Sequence, residues 1–259
     1  MSRKKFSLSI VSHGHKVHIT SLIDDLVRLG RSDFEVILTL NLPEELGFDK
    51  AALPFVIKLI RNPAPKGFAE NHNSAFAQSD ADYFVILNPD IVLTDDPFDI
   101  LLRLSVANPN SICAPTVLND AGALEDSARS FPTPLFLLRR LASRVLKISL
   151  PAEPVPVDND VLAPDWVAGM FVVVPRGIYQ KLNGLDERYH MYFEDVDFCA
   201  RARLSGCQVL VSRQAKVIHN AQRDSHRKMK YTLWHLRSAF KFFTSTAYVR
   251  IRLNRLFGA

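Results

Sequence analysis

The chain reads Tyr-Phe-Val-Ile-Leu-Asn-Pro-Asp from Tyr83 to Asp90. Five successive apolar residues, rich in aromatic and β-branched side chains, predict a buried strand. Proline fixes φ just after that strand and presents the carboxylate of Asp90 beyond it. Ligands of parallel sheets bind beyond the carboxyl ends of the strands, so Asp90 is expected to lie in a ligand site. A plain turn formed by Asn-Pro-Asp stays open as the alternative.

Apolar runs alternate with segments of helical spacing around this strand. The predicted strands are Phe6–Val11, Phe34–Leu40, Phe55–Ile60 and Tyr83–Leu87, and the predicted helices are Val17–Leu29, Gly67–Gln78 and Phe98–Ala107. Such alternation is typical of an α/β fold with a mainly parallel sheet.

The pattern is less regular beyond Ser111. Four prolines, Pro151, Pro154, Pro156 and Pro164, predict a loop. The chain then predicts a strand from Trp166 to Val174, a short helix after Pro175-Arg176-Gly177, a helix Glu194–Leu204 ended by Gly206, and a strand Gln208–Ile218.

A second acidic stretch, Tyr189–Asp197, reads Tyr-His-Met-Tyr-Phe-Glu-Asp-Val-Asp. Acids are favoured in the first turn of a helix, and this accounts for one of them. Three carboxylates in one turn repel each other, so at least one is expected to have a perturbed pKa and a cation or proton nearby. Together with Asp90, they predict an enzyme site with two carboxylates.

Composition limits the classes of protein that fit. A chain of 259 residues suits one main fold, and no apolar run approaches the roughly 20 residues that span a bilayer. The basic start lacks the apolar centre of a signal peptide, which predicts a cytoplasmic protein. Three cysteines without a CxxC pair argue against a disulfide framework and a zinc site. No two glycines are spaced as GxG, which excludes a Rossmann dehydrogenase or a P-loop kinase.

Positive charge is concentrated at the carboxyl end. The net charge is +5, yet no acid follows Asp224, and eight Lys and Arg residues there leave −3 for the first 224 residues. Aromatic residues alternate with these bases, and Phe131–Leu150 has a similar composition. Both segments predict an interfacial helix on an anionic membrane surface. A helix packed on the domain and an oligomer contact stay open, whereas no motif supports nucleic acid binding.

Several short motifs recur in a fixed order between residues 6 and 222. They are Asn62, Gly67-Phe68-Ala69, Asn73, Leu87-Asn88-Pro89-Asp90, Arg129, Phe131-Pro132-Thr133, Gly169, Arg176, Gly184-Leu185-Asp186-Glu187, Met191–Asp197, Arg201 and Gly206. In this order the chain resembles the inverting family 2 glycosyltransferases with a GT-A fold, and more narrowly their rhamnosyltransferase-like members in bacterial polysaccharide assembly.

The resemblance implies roles for four residues. Asp90 corresponds to the remaining carboxylate of the DxD metal motif, with Asn88 in place of the first acid. Asp195 corresponds to the general base, supported by Glu194. His219 matches a histidine ligand of a divalent metal, Mg²⁺ or Mn²⁺, and a plain surface histidine is the alternative.

The same resemblance implies the substrate contacts. Donor binding is expected from Ser12, Asn41, Gly67, Asn73, Asn88 and Asp90, and acceptor binding from Gly169, Asp186, Glu187 and Tyr192. The chain departs from the family at Ser12-His13-Gly14, at Thr39-Leu40-Asn41, and at Asn71-His72 and Ala75, so recognition of the base and the donor loop is expected to differ.

These expectations describe an inverting, metal-dependent transferase at the cytoplasmic face of the membrane. It would move a sugar such as rhamnose from a nucleotide diphosphate to a lipid-linked saccharide. Residues 1–222 are predicted to form the catalytic domain, with a nucleotide-sugar half (1–117) and an acceptor half (118–222), followed by a basic helical segment (223–259). A nucleotidyltransferase and a non-catalytic saccharide- or membrane-binding domain are the alternatives.

Overall fold

The computed structural model describes residues 3–146, 157–158, 160–220 and 229–257. Of the residues and segments discussed above, Pro151, Pro154 and Pro156 lie outside this part of the chain, as do residues 147–150 and 221–228, which include Asp224.

One mixed sheet forms the centre of the molecule. Its ten strands are β1 (Phe6–Ser12), β2 (Phe34–Leu40), β3 (Val56–Arg61), β4 (Tyr83–Leu87), β5 (Ile91–Val92), β6 (Ser111–Leu118), β8 (Val157–Asp158), β9 (Val161–Leu162), β11 (Phe171–Pro175) and β12 (Gln208–His219). Strands β7 (Ala128–Arg129) and β10 (Trp166–Val167) form a separate antiparallel pair. The strand order in the central sheet is β3-β2-β1-β4-β11-β6-β12-β9-β8, with β5 on β12. Six strands, β3, β2, β1, β4, β6 and β12, run in one direction, and β11 lies antiparallel between β4 and β6.

Helices cover both faces of this sheet. They are α1 (Lys16–Arg28), α2 (Phe68–Gln78), α3 (Phe98–Ala107), α4 (Pro134–Leu146), α5 (Arg176–Lys181), α6 (Glu194–Leu204), α7 (Met229–Phe243) and α8 (Thr246–Phe257). Alternate residues of β1 divide the core, because Phe6, Leu8 and Ile10 pack with α1 and α3 on one face. The other face packs against α2, α6 and the carboxyl-terminal helices. The predicted α/β architecture is confirmed.

The central strand β6 was not predicted from the sequence. Strand β6 lies between β11 and β12, although Pro115 at its middle lacks the N–H that a sheet requires. The register of β12 shifts here, because Ser212 pairs with Pro115 and Lys216 with Thr116. The bulge in β12 accommodates the proline within the sheet.

The predicted strand Trp166–Val174 is divided in two. Trp166–Val167 forms β10 and Phe171–Pro175 forms β11, with a turn in which Met170 N–H donates to Ala168 O over 2.7 Å. The turn leaves the N–H of Gly169 free to point away from the sheet, and its partner lies in the site described below.

The carboxyl-terminal segment is helical, as predicted, and it packs on the domain. Phe242 of α7 is fully buried, and Ala247, Tyr248 and Ile251 of α8 are buried in the same cluster as Phe193. Its buried face is therefore part of the core. Within the described residues no helix is long and apolar enough to cross a bilayer.

Candidate active site

The candidate site lies at the carboxyl edge of the parallel strands. Strands β1 and β2 end in register at this edge, the parallel strand β4 also ends there just before Asn88, and β12 reaches it where His219 pairs with Ile91. The side chains of Asp90 and His219 therefore meet beyond the carboxyl ends of the strands, where ligands of parallel sheets bind.

Asp90 and His219 form a pair that is held on the far side by a third residue. Nε2 of His219 lies 3.2 Å from Oδ2 of Asp90, and Nδ1 lies 2.8 Å from Oε2 of Glu125. The His219 side chain is 11% exposed, which is too little for a plain surface histidine. Burial opposes protonation, but hydrogen bonds to Asp90 and Glu125 raise the pKa of His219 to about 9.

Glu125 was not predicted from the sequence. It lies on the return arm of a loop after β6, where its N–H donates to Val117 O over 2.9 Å and Leu124 bridges to Leu118. The hairpin signal Asn119-Asp120-Ala121-Gly122 indicated a turn, and nothing in the sequence indicated that the following glutamate would face a histidine 94 positions away.

The Asp90 and His219 pair fits a divalent metal. Oδ1 of Asp90 is buried and has no hydrogen-bond partner among the described residues, so one oxygen is free for a ligand. A carboxylate and an imidazole are both accepted by Mn²⁺, and an imidazole ligand ordinarily donates its second N–H to a carboxylate, the place that Glu125 occupies. Among the described residues no group of three or more His, Cys, Asp or Glu side chains is placed to hold a metal ion.

Asp195 is fixed at the first turn of α6. Its Oδ2 accepts the N–H of Gly169 over 3.1 Å, and its Oδ1 accepts the N–H of Val196 over 2.8 Å. A Cβ at residue 169 would lie 3.0 Å from the ring of Phe68, so glycine permits this approach. Burial raises the pKa of Asp195 above its ordinary value, while the N–H donors oppose the shift. Such a carboxylate is suited to accept a proton.

The other two acids of this turn differ from Asp195. Glu194 is buried, and burial together with the charge of Asp195 raises its pKa well above the ordinary value. Its Oε2 has no hydrogen-bond partner in the described structure. Asp197 instead forms a buried ion pair with Arg201 (2.6 Å), whose guanidinium also donates to Leu182 O and Gly184 O. Asp197 therefore holds the preceding loop and leaves two acids for chemistry.

A short backbone path connects Asp195 with Asp90. Met170 O accepts the N–H of Asn88 over 2.8 Å, and the adjacent Gly169 donates to Asp195. The turn between β10 and β11 thus joins the residue two positions before Asp90 to the carboxylate of Asp195. Gly169, predicted to contact the acceptor, is placed beside the candidate base.

Two predicted donor residues stabilise the loop before α2. Asn41 makes four side-chain hydrogen bonds: it accepts from Lys66 N–H and Asn62 Nδ2, and its own amide contacts Lys66 O and His13 Nδ1. These use the full capacity of its amide. Gly67 packs against His190, where a Cβ would lie 2.8 Å from the carbonyl oxygen. Both residues shape the donor loop from within.

Asn73 holds the loop that precedes the acidic turn. Its Oδ1 accepts from Tyr179 OH and Leu185 N–H, and its Nδ2 donates to Leu185 O and Glu187 Oε1. All four hydrogen-bonding positions are occupied within the protein. Contact of Asn73 with the donor stays a prediction.

The remaining predicted residues have hydrogen-bond partners within the protein. Ser12 is buried and its Oγ accepts the N–H of His15 over 3.1 Å. Asp186 is bound by Arg188, whose hydrogen bonds, against the effect of burial, hold the pKa of that carboxylate below its ordinary value. Glu187 accepts from Asn73. Contacts of Asp186 and Glu187 with a saccharide stay predictions.

An aromatic cluster from α7 borders the acidic turn. Tyr192 and Phe193 both have positive φ (69° and 68°), an uncommon conformation for bulky residues. His235 of α7 lies with its ring 5.4 Å from Tyr192 and 5.2 Å from Phe193, and Ser238 Oγ donates to Met191 O over 2.9 Å. Helix α7 therefore holds the strained segment before α6, a role that the basic composition of the tail did not indicate.

Comparisons with known proteins show the family and the fold. The model of the Glycosyl transferase family 2 matches residues 7–153. Rhamnosyltransferase WbbL of Escherichia coli K12 is 30% identical over 264 residues, covering 96% of this chain and 95% of that protein. An N-acetylglucosaminyl-diphospho-decaprenol L-rhamnosyltransferase of Mycobacterium tuberculosis is 28% identical over 154 residues, 56% of this chain and 49% of its own length. The crystal structure of GalNAc-T7 with UDP, GalNAc and Mn²⁺ superposes with a TM-score of 0.64 at 12% identity, covering 94% of this chain and 49% of that one, and this confirms the GT-A fold.

Proposed function

Because the chain belongs to glycosyltransferase family 2 and is a hexosyltransferase, we propose that it transfers rhamnose from a nucleotide diphosphate to a lipid-linked saccharide, with inversion at the anomeric carbon. The observation that carries this proposal is the placement of Asp195. It is a partly buried carboxylate with a raised pKa, held by Gly169 beside the edge where Asp90 lies.

The proposed reaction is a single displacement. Asp195 takes the proton of the acceptor hydroxyl as its oxygen attacks the anomeric carbon, and the bond from that carbon to the diphosphate oxygen breaks. The electron pair of that bond leaves with the diphosphate, and the configuration inverts because the acceptor oxygen attacks from the opposite face. Two hydrogen bonds from backbone N–H groups fix the direction in which Asp195 accepts the proton.

Glu194 supports the base in its protonated form. Its burial and the neighbouring carboxylate favour a neutral acid, which leaves the negative charge of the pair on Asp195. A second negative charge in this turn would oppose ionisation of Asp195. The raised pKa of Glu194 therefore supports Asp195 as the base.

Asp90 and His219 are the proposed metal ligands. A divalent metal bound there would offset the charge that develops on the leaving diphosphate. Glu125 fixes the orientation of His219 so that Nε2 faces Asp90. The relative named with UDP and Mn²⁺ supports a divalent metal in this fold.

The acceptor is proposed from the relatives. The mycobacterial relative is named for a decaprenol-linked N-acetylglucosamine, and a rhamnosyltransferase from Escherichia coli covers nearly the whole chain. We therefore place the reaction at a membrane surface on the cytoplasmic side, in cell-surface polysaccharide synthesis.

One experiment tests the proposal as a whole. The purified protein is incubated with nucleotide-activated rhamnose, Mn²⁺ or Mg²⁺, and a short-chain lipid diphosphate saccharide, and the anomeric configuration of the product is determined by NMR. We expect transfer only when a divalent metal is present, and a product with inverted anomeric configuration. Retention of configuration would overturn the mechanism, and transfer of a nucleotidyl group would overturn the reaction class.

A further inference from the structure

Exposed apolar side chains are concentrated on three helices. Of the fourteen large apolar side chains that the described residues expose, nine lie on α4, α7 and α8: Leu135, Leu138, Leu233, Leu236, Phe240, Val249, Leu253, Leu256 and Phe257. The other five are scattered singly, as is normal for a soluble surface. A contiguous set of this kind marks an interaction surface.

The exposed residues of α7 lie opposite its buried face. Leu233, Leu236 and Phe240 recur at intervals of three and four and share one side of the helix. Ser238, Ala239 and Phe242 form the other side and are buried against the domain. Phe240 is 71% exposed, whereas Phe242, two positions later, is 0% exposed. The helix is therefore apolar on two sides, of which the core covers only one.

Helix α8 has the same construction. Ala247, Tyr248 and Ile251 are buried, and Val249, Leu253 and Leu256 lie on the opposite side. A helix that only packs on a domain has a polar outer face, so the outer faces of α7 and α8 require a second apolar partner.

The three helices adjoin one another. Phe131, just before α4, lies with its ring 6.5 Å from that of Phe242 in α7. The guanidinium of Arg255 in α8 lies 5.6 Å from the same Phe131 ring. The exposed leucines of α4 thus border the same buried cluster as the outer faces of α7 and α8.

The charge of this surface selects the partner. The sequences of α4, α7 and α8 contain no aspartate or glutamate, and Arg139, Arg237 and Arg250 are exposed among the apolar side chains. A second copy of the chain would bring the same bases against them, which is unfavourable. An anionic bilayer satisfies both features, since it accepts apolar side chains and attracts cations.

We propose that the outer faces of α4, α7 and α8 form one docking surface for an anionic lipid bilayer. The proposal rests on the proposed lipid-linked acceptor for its purpose, but its test does not require transfer. Because α7 also contacts the acidic turn through His235, docking places the candidate base close to the bilayer. One helix then holds the catalytic loop on its inner side and the lipid on its outer side.

The test uses the full chain and two kinds of vesicle, phosphatidylcholine alone and phosphatidylcholine mixed with phosphatidylglycerol. Wild type is expected to sediment with the anionic vesicles at low salt and to be released by high salt. The double variant Leu236→Glu with Phe240→Glu should bind at least about ten-fold more weakly. Val106→Glu, an exposed valine on α3, is the matched control and should bind as wild type.

Three results would overturn the proposal. The first is wild type that does not sediment with anionic vesicles. The second is an equal loss of vesicle binding in the double variant and in Val106→Glu. The third is a dimer in solution that Leu236→Glu dissociates while vesicle binding is absent. Thermal unfolding followed by circular dichroism shows that each variant is folded. Transfer to a short-chain acceptor in free solution should persist in the double variant, so loss of docking is distinguished from failure of the proposed reaction.

Discussion

Nε2 of His219 lies 3.2 Å from Oδ2 of Asp90, although 129 residues separate them in the chain. The contact arises because β12 pairs with β5 directly after the turn that contains Asp90. It brings the two proposed metal ligands together at one end of the sheet.

The first prediction concerns Asp90→Asn. The amide keeps the size of the side chain but has only a neutral oxygen to offer a metal, so Mn²⁺-dependent binding of a nucleoside diphosphate should fall at least about ten-fold. Isothermal titration calorimetry with and without Mn²⁺ measures this. Asp120→Asn, an exposed loop acid, is the control. Equal Mn²⁺ dependence in Asp90→Asn and wild type would remove Asp90 from the metal site.

A second prediction follows from the pKa of His219. Its folded pKa, about 9, lies above the ordinary 6.5, so the protonated pair stabilises the metal-free protein fully below pH 6.5 and loses that effect as pH rises through 9. Since a metal ligand must be deprotonated, metal binding near pH 7.5 should release a proton. Calorimetry in two buffers of different ionisation enthalpy detects it. Binding without proton release would show that His219 is not a ligand.

Glu125 gives a third prediction. Glu125→Gln retains a hydrogen-bond acceptor for His219 but removes its charge, whereas Glu125→Ala removes both. Mn²⁺ affinity should therefore fall in the order wild type, Gln, Ala, by roughly 10-fold or more at the end of the series. The ¹⁵N shifts of His219 should change in the same order. Glu45→Gln is the control, because Glu45 is an exposed acid on another loop. Unchanged shifts in Glu125→Ala would contradict a positioning role.

How far the sequence predicted this site depends on how local each signal is. Asp90 was predicted because an apolar strand precedes it. Asp195 was predicted because it belongs to an acidic turn that begins a helix. Glu125 was missed because its partner is distant in the chain, and no local pattern marks an acid that faces a buried histidine.

Asparagines show a second limit of the sequence. Asn41 and Asn73 occupy motif positions, yet both amides are saturated by contacts within the protein. Composition and spacing do not reveal whether an amide is already bonded. Strand β6 was missed for a related reason, since the bulge that tolerates its Pro115 belongs to another strand, β12.

The fourth prediction separates the two acids of α6. Asp195→Asn removes the proton acceptor, so transfer should fall by roughly 10²–10⁴-fold while donor affinity is nearly retained. Glu194→Gln mimics a protonated acid and should retain most activity. Because the folded pKa of Glu194 is raised, its ionisation destabilises the fold as pH rises, and Glu194→Gln should gain stability over wild type at pH 8 relative to pH 4. The reverse pattern of activity would move the base to Glu194.

The last prediction tests whether α7 is an integral part of the catalytic domain. Phe242 and Phe240 are the same residue type two positions apart on one helix, with 0% and 71% exposure. Phe242→Ala removes a ring that packs against Phe193 and Tyr248, so the free energy of unfolding should fall by about 3–5 kcal/mol. Phe240→Ala should change it by less than about 0.5 kcal/mol. Urea denaturation measures both values.

Similar small effects of the two substitutions would mean that the tail is an attached segment, and deletion of residues 228–259 would then be a clean test of membrane binding. If Phe242→Ala destabilises as expected, that deletion removes part of the core, and only substitutions on the outer face separate lipid binding from folding.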